Sequence, residues 1–451
     1  MISALAGTGK TSTLEELSRT VREKAILYLV FNKKNALEAE GRMPPSTTVR
    51  TFNSMGHRIW ADSQGRKLTV ESNKCRNIYK AIIDDSPRDT KDALWQIYSD
   101  VLSGCALAKA LGYLPDGFSK GTGLLTQSSF HRSLDEVPDD LTSDLIDTVL
   151  RRSIKQSFEG LIDYNDQVYM PALFGGVFPK YPLVLVDEYQ DLSPVNHALL
   201  AKLAKARLIG VGDPNQNIYG FRGAKAGGMA TATEVYGCTS LPLSISFRCP
   251  SAIVQHVQWH VPSFRWFTEG GQVDTPTDLH AGNIPDDCTI ICRNNAPLLR
   301  VGFRLLGLGR SISVAGTDIG PRLIAIMKKL GDESDSRADF LTAIADWEEA
   351  KLERESKSAP DMAACIRIFA QQGRTLGDAI TYAEHLFRQQ GSIYLTTGHK
   401  AKGLEWSKVI HLDPWLVRRD PTEQNRNLDY VISTRSRDSL TEIDSEAILW
   451  S

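Results

Sequence analysis

Residues 4–11 read ALAGTGKT, and STLEELSRTV follows at 12–21. A short apolar segment, a loop of small residues and a helix-forming run together make a strand–loop–helix unit that cradles phosphate. Small residues let successive backbone N–H groups face the phosphates, a lysine reaches the β and γ oxygens, and a hydroxyl holds magnesium. Ala6, Gly7, Thr8, Gly9, Lys10 and Thr11 supply those parts, with Thr11 as the magnesium-holding hydroxyl. The first glycine of the GxxxxGK[ST] pattern is replaced by Ala4.

Working outward, apolar runs bounded by turn signals occur at 25–31 (AILYLVF), 181–187 (YPLVLVD), 206–213 (ARLIGVGD) and 288–293 (CTIICR). Continuous rather than alternating hydrophobicity predicts strands covered on both faces, as in parallel sheets, and helical patterns lie between them. The expectation is an α/β protein whose ligands gather at the carboxyl ends of the strands. Residues 61–158 and 320–390 are helical in pattern without comparable strand runs, which predicts two helical insertions.

The run at 183–188, LVLVDE, ends in two carboxylates where a sheet would deliver them to a nucleotide. In that position Asp187 holds magnesium and Glu188 activates water for attack on a triphosphate. Taken alone, DEYQDLSP serves equally well as an acidic helix N-terminus. The phosphate loop and the string GDPNQNIYGFRGA at 212–224 favour the nucleotide reading.

These strings carry a resemblance. DEYQD with VGDPNQNIYGFRGA resembles motifs II and III of the UvrD/Rep-like superfamily 1 helicases, and AGTGKT resembles their motif I. Further matches follow in the family's order: Phe31-Asn32-Lys33 and Thr51-Phe52-Asn53-Ser54, then Leu243 to Arg248, Arg293-Asn294-Asn295, Thr397 to Trp406, and Tyr430 to Arg435. The FNK and TFNS spellings lean toward the F-box DNA helicase branch, without an F-box segment.

The resemblance implies two RecA-like P-loop motor domains with parallel sheets, each carrying a helical insertion. Residues 1–60 and 159–237 form the first motor domain and 61–158 its insert. Residues 238–319 and 391–451 form the second, with 320–390 as a short insert. It also implies an ATP-dependent DNA helicase or translocase that uses ATP and Mg2+ and moves 3′ to 5′ on single-stranded or tailed duplex DNA. Lys10, Asp187, Glu188, Gln216, Arg248 and Arg435 are the catalytic candidates, with Gln216 sensing the γ-phosphate and both arginines reaching it from the other motor domain. Phe247 stacks on the base, and Gly403 and Glu405 hold the nucleotide, Glu405 at the ribose.

DNA contacts are expected from Phe31, Lys33, Thr51, Phe52, Asn53, Tyr219, Phe221, Asn295, Thr397 and His399. Aromatic faces beside a backbone-tracking groove are the usual grip on single strands without sequence preference. Phe31 and Phe52 read equally well as core residues.

Composition bounds the alternatives. The chain has 451 residues with Lys+Arg 52 against Asp+Glu 54, which excludes a uniformly polycationic protein but not a local basic groove. The 42% hydrophobic content can bury a sizeable core. Seven scattered cysteines suggest neither a disulfide framework nor a zinc knuckle. No apolar run reaches the ~20 residues of a membrane helix, so the expected location is cytoplasmic, or nuclear in a eukaryote, with no membrane partner. HVQWH at 256–260 places two histidines four apart, read as a solvated or packed helix face. Cys288 and Cys292 are read as core, and WEEAKLERESK at 347–357 as exposed helix.

Two departures from the family pattern stand out. The chain starts just before the phosphate loop, which predicts a short first strand, a weakened sheet and a missing adenine-recognition segment, as in a fragment or a misplaced start. The short second insert leaves translocation without efficient unwinding as an option. The competing reading from another class is a motor-impaired DNA-binding or recombination accessory protein. A P-loop kinase or GTPase would leave Arg248, the 397–406 string and Arg435 without a purpose.

Overall fold

The structure is a computed structural model that describes residues 1–450 apart from 135–136, 219, 221–227, 316–318, 354–355 and 357. Contacts divide it into two compact units, Met1–Ala4 with Gly9–Leu243 and Leu5–Thr8 with Ser244–Ser451.

The first unit contains strands β1 (Ile2–Ala4), β2 (Ile26–Val30), β3 (Thr47–Thr51), β4 (Thr69–Val70), β5 (Leu161–Ile162), β6 (Tyr181–Val186), β7 (Ala204–Gly212) and β8 (Leu241–Leu243). Six of them form one sheet in the order β3-β2-β6-β7-β1-β8, with every pairing parallel. Side chains along a strand alternate between faces, and here both faces are covered. Leu27 and Leu29 join Val184 and Val186 in one core cluster, while Ile26, Tyr28 and Val30 join Leu183 and Leu185 in another. That double burial is why these strands read as unbroken apolar runs. β1 is short, as expected, but it lies between β7 and β8 rather than at an edge, with Ile2 opposite both Val211 and Leu241.

Helices Lys74–Asp85, Tyr98–Leu111 and Asp140–Phe158 pack Tyr79, Val101, Cys105, Ile146 and Val149 into a core of their own. The parallel pair β4–β5 flanks this helical stretch. The sequence predicts no strand there, because β4 is two exposed residues, too short to make an apolar run.

The second unit adds β9 (Ile245–Ser246), β10 (Arg265–Trp266), β11 (Gln272–Asp274), β12 (Leu279–His280), β13 (Thr289–Cys292), β14 (Ile312–Val314), β15 (Ile393–Thr397), β16 (Trp406–Leu412), β17 (Ser436–Ile443) and β18 (Ile448–Leu449). A second parallel sheet has the order β11-β17-β16-β13-β15-β14. Helices Ile319–Leu330, Arg337–Leu352, Ala359–Ala370 and Leu376–Arg388 share one core cluster with Ile290, Cys292 and Leu395 of that sheet.

Cys288 and Cys292 are buried in that cluster, and all seven cysteines are free. The two histidines of HVQWH do not share a helix face, because the helix ends at Val257. His256 instead bonds Glu442 at 3.0 Å and His260 bonds Asn427 at 3.0 Å. In the charged run after it, Trp347 packs against the core and Glu348 pairs with Arg367, so that helix is only partly exposed. Among the described residues no helix is long and apolar enough to cross a membrane.

Parallel strands bring their carboxyl ends to one edge of each sheet. In the first unit that edge carries Phe31 after β2, Phe52 and Asn53 after β3, Asp187 and Glu188 after β6, and Asp213 after β7. In the second it carries Asn295 after β13, His399 after β15 and Asp413 after β16.

Candidate functional site

The phosphate loop leads into helix Lys10–Thr20 of the first unit, with Gly9 at its N-cap. Gly7 and Gly9 have φ of 69° and 83°, a left-handed conformation in which a Cβ is disfavoured, so the loop needs glycine at both positions. Lys10 Nζ donates to the Ala4 carbonyl at 3.2 Å. The Thr11 hydroxyl donates to Asp187 Oδ2 at 3.2 Å, so the two proposed magnesium-holding oxygens are adjacent.

Asp187 lies just beyond β6 and receives more than the sequence announced. The buried Tyr28 hydroxyl donates to Asp187 Oδ2 at 2.9 Å, and the Glu188 amide donates to Oδ1 at 2.9 Å. Burial, then the neighbouring Glu188, push the Asp187 carboxyl up to about 6, with Tyr28, the Glu188 amide and Lys10 pulling the other way. Burial also raises the Tyr28 phenol, with Asp187 adding to it. A hydroxyl and a carboxylate side by side are hard oxygen donors of the kind Mg2+ takes, and a cation there would return Asp187 to its ionised form. The site's chemistry therefore fits the metal.

Glu188 adopts φ 49° and ψ 45°, a left-handed conformation for a residue with a side chain. Such conformations cost of order 1–3 kcal/mol and cluster at functional sites. The turn places Glu188 Oε2 to accept from Gln190 Nε2 at 2.7 Å. Gln190 Oε1 in turn accepts the Asp213 amide at 3.0 Å, and Gln216 Nε2 donates to Asp213 Oδ2 at 2.8 Å. Gln190 thus ties Glu188 to the loop holding Gln216. Asp213 is fully buried, and burial raises its carboxyl.

In the second unit Arg248 Nε pairs with Glu405, and Arg437 also approaches Glu405 at 3.8 Å. The residues expected to meet γ-phosphate and ribose therefore pair with one another. Arg435 is 1% exposed, and its guanidinium donates to the carbonyls of Val431 at 2.9 Å and Leu404 at 3.1 Å and to the Thr434 hydroxyl at 3.2 Å. Phe247 is 63% exposed and its ring lies 5.1 Å from that of Phe267, an exposed aromatic that the sequence did not single out. Gly403 has φ 83°.

Among the expected DNA contacts, Phe52 is buried in the core, the packing half of the two readings left open. Phe31 is half-buried and Lys33 exposed, while Thr51 caps the helix that begins at Phe52 by accepting the Ser54 amide at 3.1 Å. Asn53 donates to the Tyr164 carbonyl at 2.6 Å and to Gln167 Oε1 at 3.0 Å. Asn295 donates to Asp361 at 3.1 Å, Thr397 is buried at the end of β15, and His399 is half-buried. Tyr219 and Phe221 lie outside the described residues.

Sequence reading missed Tyr28 and Gln190. Tyr28 looked like one more apolar strand residue. Gln190 stood in plain view within DEYQD, where a polar residue 2% exposed signals a required partner.

Comparison with known proteins bears on both units. The chain is 25% identical to the F-box DNA helicase protein 1 of Schizosaccharomyces pombe, over 90% of this chain and 50% of that protein. It is 28% identical to a probable DNA helicase II homolog of Rickettsia felis, over 55% of this chain and 40% of that one. It is 24% identical to the ATP-dependent DNA helicase PcrA of Leuconostoc citreum, over 65% and 42%. The chain thus spans about half the length of these relatives, or less. The UvrD/REP helicase N-terminal domain matches residues 1–236 and the UvrD-like helicase C-terminal domain matches residues 392–441. With more than half of its length matched, and with the phosphate loop and its facing carboxylates built on a parallel sheet, the chain belongs to the UvrD/REP helicase family.

Proposed function

We propose that the protein is an ATP-dependent DNA helicase or translocase that moves 3′ to 5′ on single-stranded DNA. The observation that carries this reading is the meeting of Thr11, Asp187 and Glu188 at the carboxyl edge of the first sheet. Magnesium bound with ATP would neutralise phosphate charge and align the triphosphate. Thr11 and Asp187 would hold it, and Lys10 with the loop amides of residues 6–11 would hold the phosphates. Glu188, set in position by its left-handed backbone and by Gln190, accepts a proton from the attacking water. Gln216, linked to Glu188 through Asp213 and Gln190, would sense the γ-phosphate. Arg248 and Arg435 are proposed to stabilise charge on the transferring phosphoryl group, which requires Arg248 to exchange Glu405 for phosphate.

ATP hydrolysis measured with and without single-stranded DNA tests the reading. The strand should stimulate turnover, and Lys10→Ala or Glu188→Gln should abolish it. Hydrolysis indifferent to DNA would count against a DNA motor, and strand binding without turnover would favour the accessory-protein reading. Duplexes with a 3′ or a 5′ tail report unwinding and its direction.

A further inference from the structure

Helix Asn295–Gly307 in the second unit buries Leu298, Leu299, Val301 and Leu305, which leaves Arg300 and Arg304 one turn apart on its outer face. Helix Ala359–Ala370 buries Ile366 and Phe369 and brings Arg367 up beside them. The Phe303 and Phe369 rings, 5.2 Å apart, hold the two helices together. Between the helices lies a cavity of about 510 Å³, lined by Arg300, Phe303, Arg304, Arg367, Gln371 and Gln372 among others. That is within the range of small-ligand sites, ~300–1,000 Å³. Among the described residues its lining holds three guanidiniums, no carboxylate and none of the residues expected to meet nucleotide or DNA.

Only one of the three charges is balanced, through the pair between Arg367 and Glu348. Arg300 also borders a neighbouring cavity with Asp361, Asp413, Asp444 and Glu446, yet among the described residues neither it nor Arg304 pairs with a carboxylate. Arg304 instead lies over the Trp450 ring at 5.2 Å, a contact that positions the guanidinium without neutralising it. A single solvated arginine needs no counter-ion. Three facing one cleft, above the apolar Phe303 and Ile368, repel one another and concentrate positive potential there. Each planar guanidinium presents a fork of donors matched to phosphate oxygens, and the two glutamines add amide donors.

We propose that this cavity is an anion site for phosphate groups, carried either by a free polyphosphate or by a nucleic-acid backbone, with Arg300 and Arg304 as its ligands.

The test uses the full chain carrying Lys10→Ala, which weakens the phosphate loop as a competing site. Isothermal titration at about 50 mM salt, where phosphate contacts are strong, takes sodium triphosphate in one arm and a blunt DNA duplex in the other. Arg300→Gln with Arg304→Gln should bind at least one probe about tenfold more weakly, the loss expected for charge-assisted bonds. A control pair, Arg322→Gln with Arg388→Gln, removes two exposed arginines outside the cavity and should stay within about twofold of the parent. A loss with triphosphate supports the site and assigns it a free polyphosphate, and a loss with the duplex supports it and assigns a nucleic-acid backbone. Unchanged affinity for both probes, an equal loss in the control pair, or no binding of either probe by the parent overturns the proposal. Arg300→Gln alone leaves the contact between Arg304 and Trp450 in place and should show part of the loss. If the thermal midpoint of the double variant falls, this single variant decides, and unchanged affinity in it overturns the site.

Discussion

Thr11 and Asp187, 176 positions apart in the chain, meet through a 3.2 Å hydrogen bond from the threonine hydroxyl to Asp187 Oδ2. One follows the phosphate loop and the other ends a buried strand, so neither is free to adjust without moving an element of the sheet.

Asp187 should carry a pH-dependent cost that magnesium removes. Its folded-state value of about 6 lies above the ordinary 3.8, so the native state binds the proton more tightly than the unfolded chain does. The resulting stabilisation is complete below 3.8 and is lost as pH rises through about 6. Asp187→Asn should therefore gain in thermal midpoint relative to wild type between pH 5 and pH 8, while losing ATPase activity. Mg2+ with nucleotide should stabilise wild type more than the variant. Calorimetry at the two pH values checks this, and a variant equally displaced at both would refute it.

Tyr28→Phe removes a donor that favours the ionised form of Asp187. The carboxyl should rise further, so the acid limb of the ATPase pH profile should shift toward neutral pH. Because a buried charged acceptor loses one partner, stability should fall by about 1–3 kcal/mol. A pH series of kcat with urea unfolding at pH 7 separates the two effects.

At Glu188 the backbone and the side chain have separate uses. Glu188→Gln should keep the fold and nucleotide binding but stop hydrolysis. Glu188→Ala and Glu188→Gly should both be inactive, yet Gly should be the more stable by about 1 kcal/mol, because φ 49° disfavours a Cβ. Equal unfolding midpoints for Ala and Gly would show that the left-handed conformation is not kept in solution.

A buried charge network in the second unit sets its acid stability. Glu442 accepts from Arg418 Nη1 at 2.9 Å and bonds His256 at 3.0 Å, while Arg418 Nε also reaches Asp429 at 2.8 Å and His411 lies 3.7 Å from both acids. His411, Asp429 and Glu442 cluster like metal ligands, but Arg418 already engages both carboxylates. Burial pushes Glu442 up, and the bonds from His256 and Arg418 together with the nearby His411 outweigh it, so the carboxyl lies well below its usual 4.5. The stabilisation is complete above 4.5 and lost as pH falls through the lowered value. Glu442→Gln should cost about 3–5 kcal/mol at pH 7, with the gap narrowing in acid. Urea titrations across pH read it directly.

Much of the first half-site was legible because its signals are local. The phosphate loop lies within eight residues, and LVLVDE places two acids at the end of an apolar run. Phe52 was undecided, since an aromatic after a strand suits a core or a groove, and only its burial settles which. The pairing of Arg248 with Glu405 had no local signal, because 157 residues separate partners whose motifs each read as nucleotide contacts.

By itself the sequence determined the α/β class, the parallel strands and the phosphate loop, because apolar periodicity and glycine placement act through neighbours in the chain. Tertiary structure decided which side chains share a charge. Tyr28 faces Leu185 across the β2–β6 pairing, and that register carries its hydroxyl to Asp187, two residues further on. The left-handed turn at Glu188 and the relay through Gln190 likewise depend on contacts between elements distant in the chain. These are long-range and cooperative, so no stretch of sequence read alone reveals them.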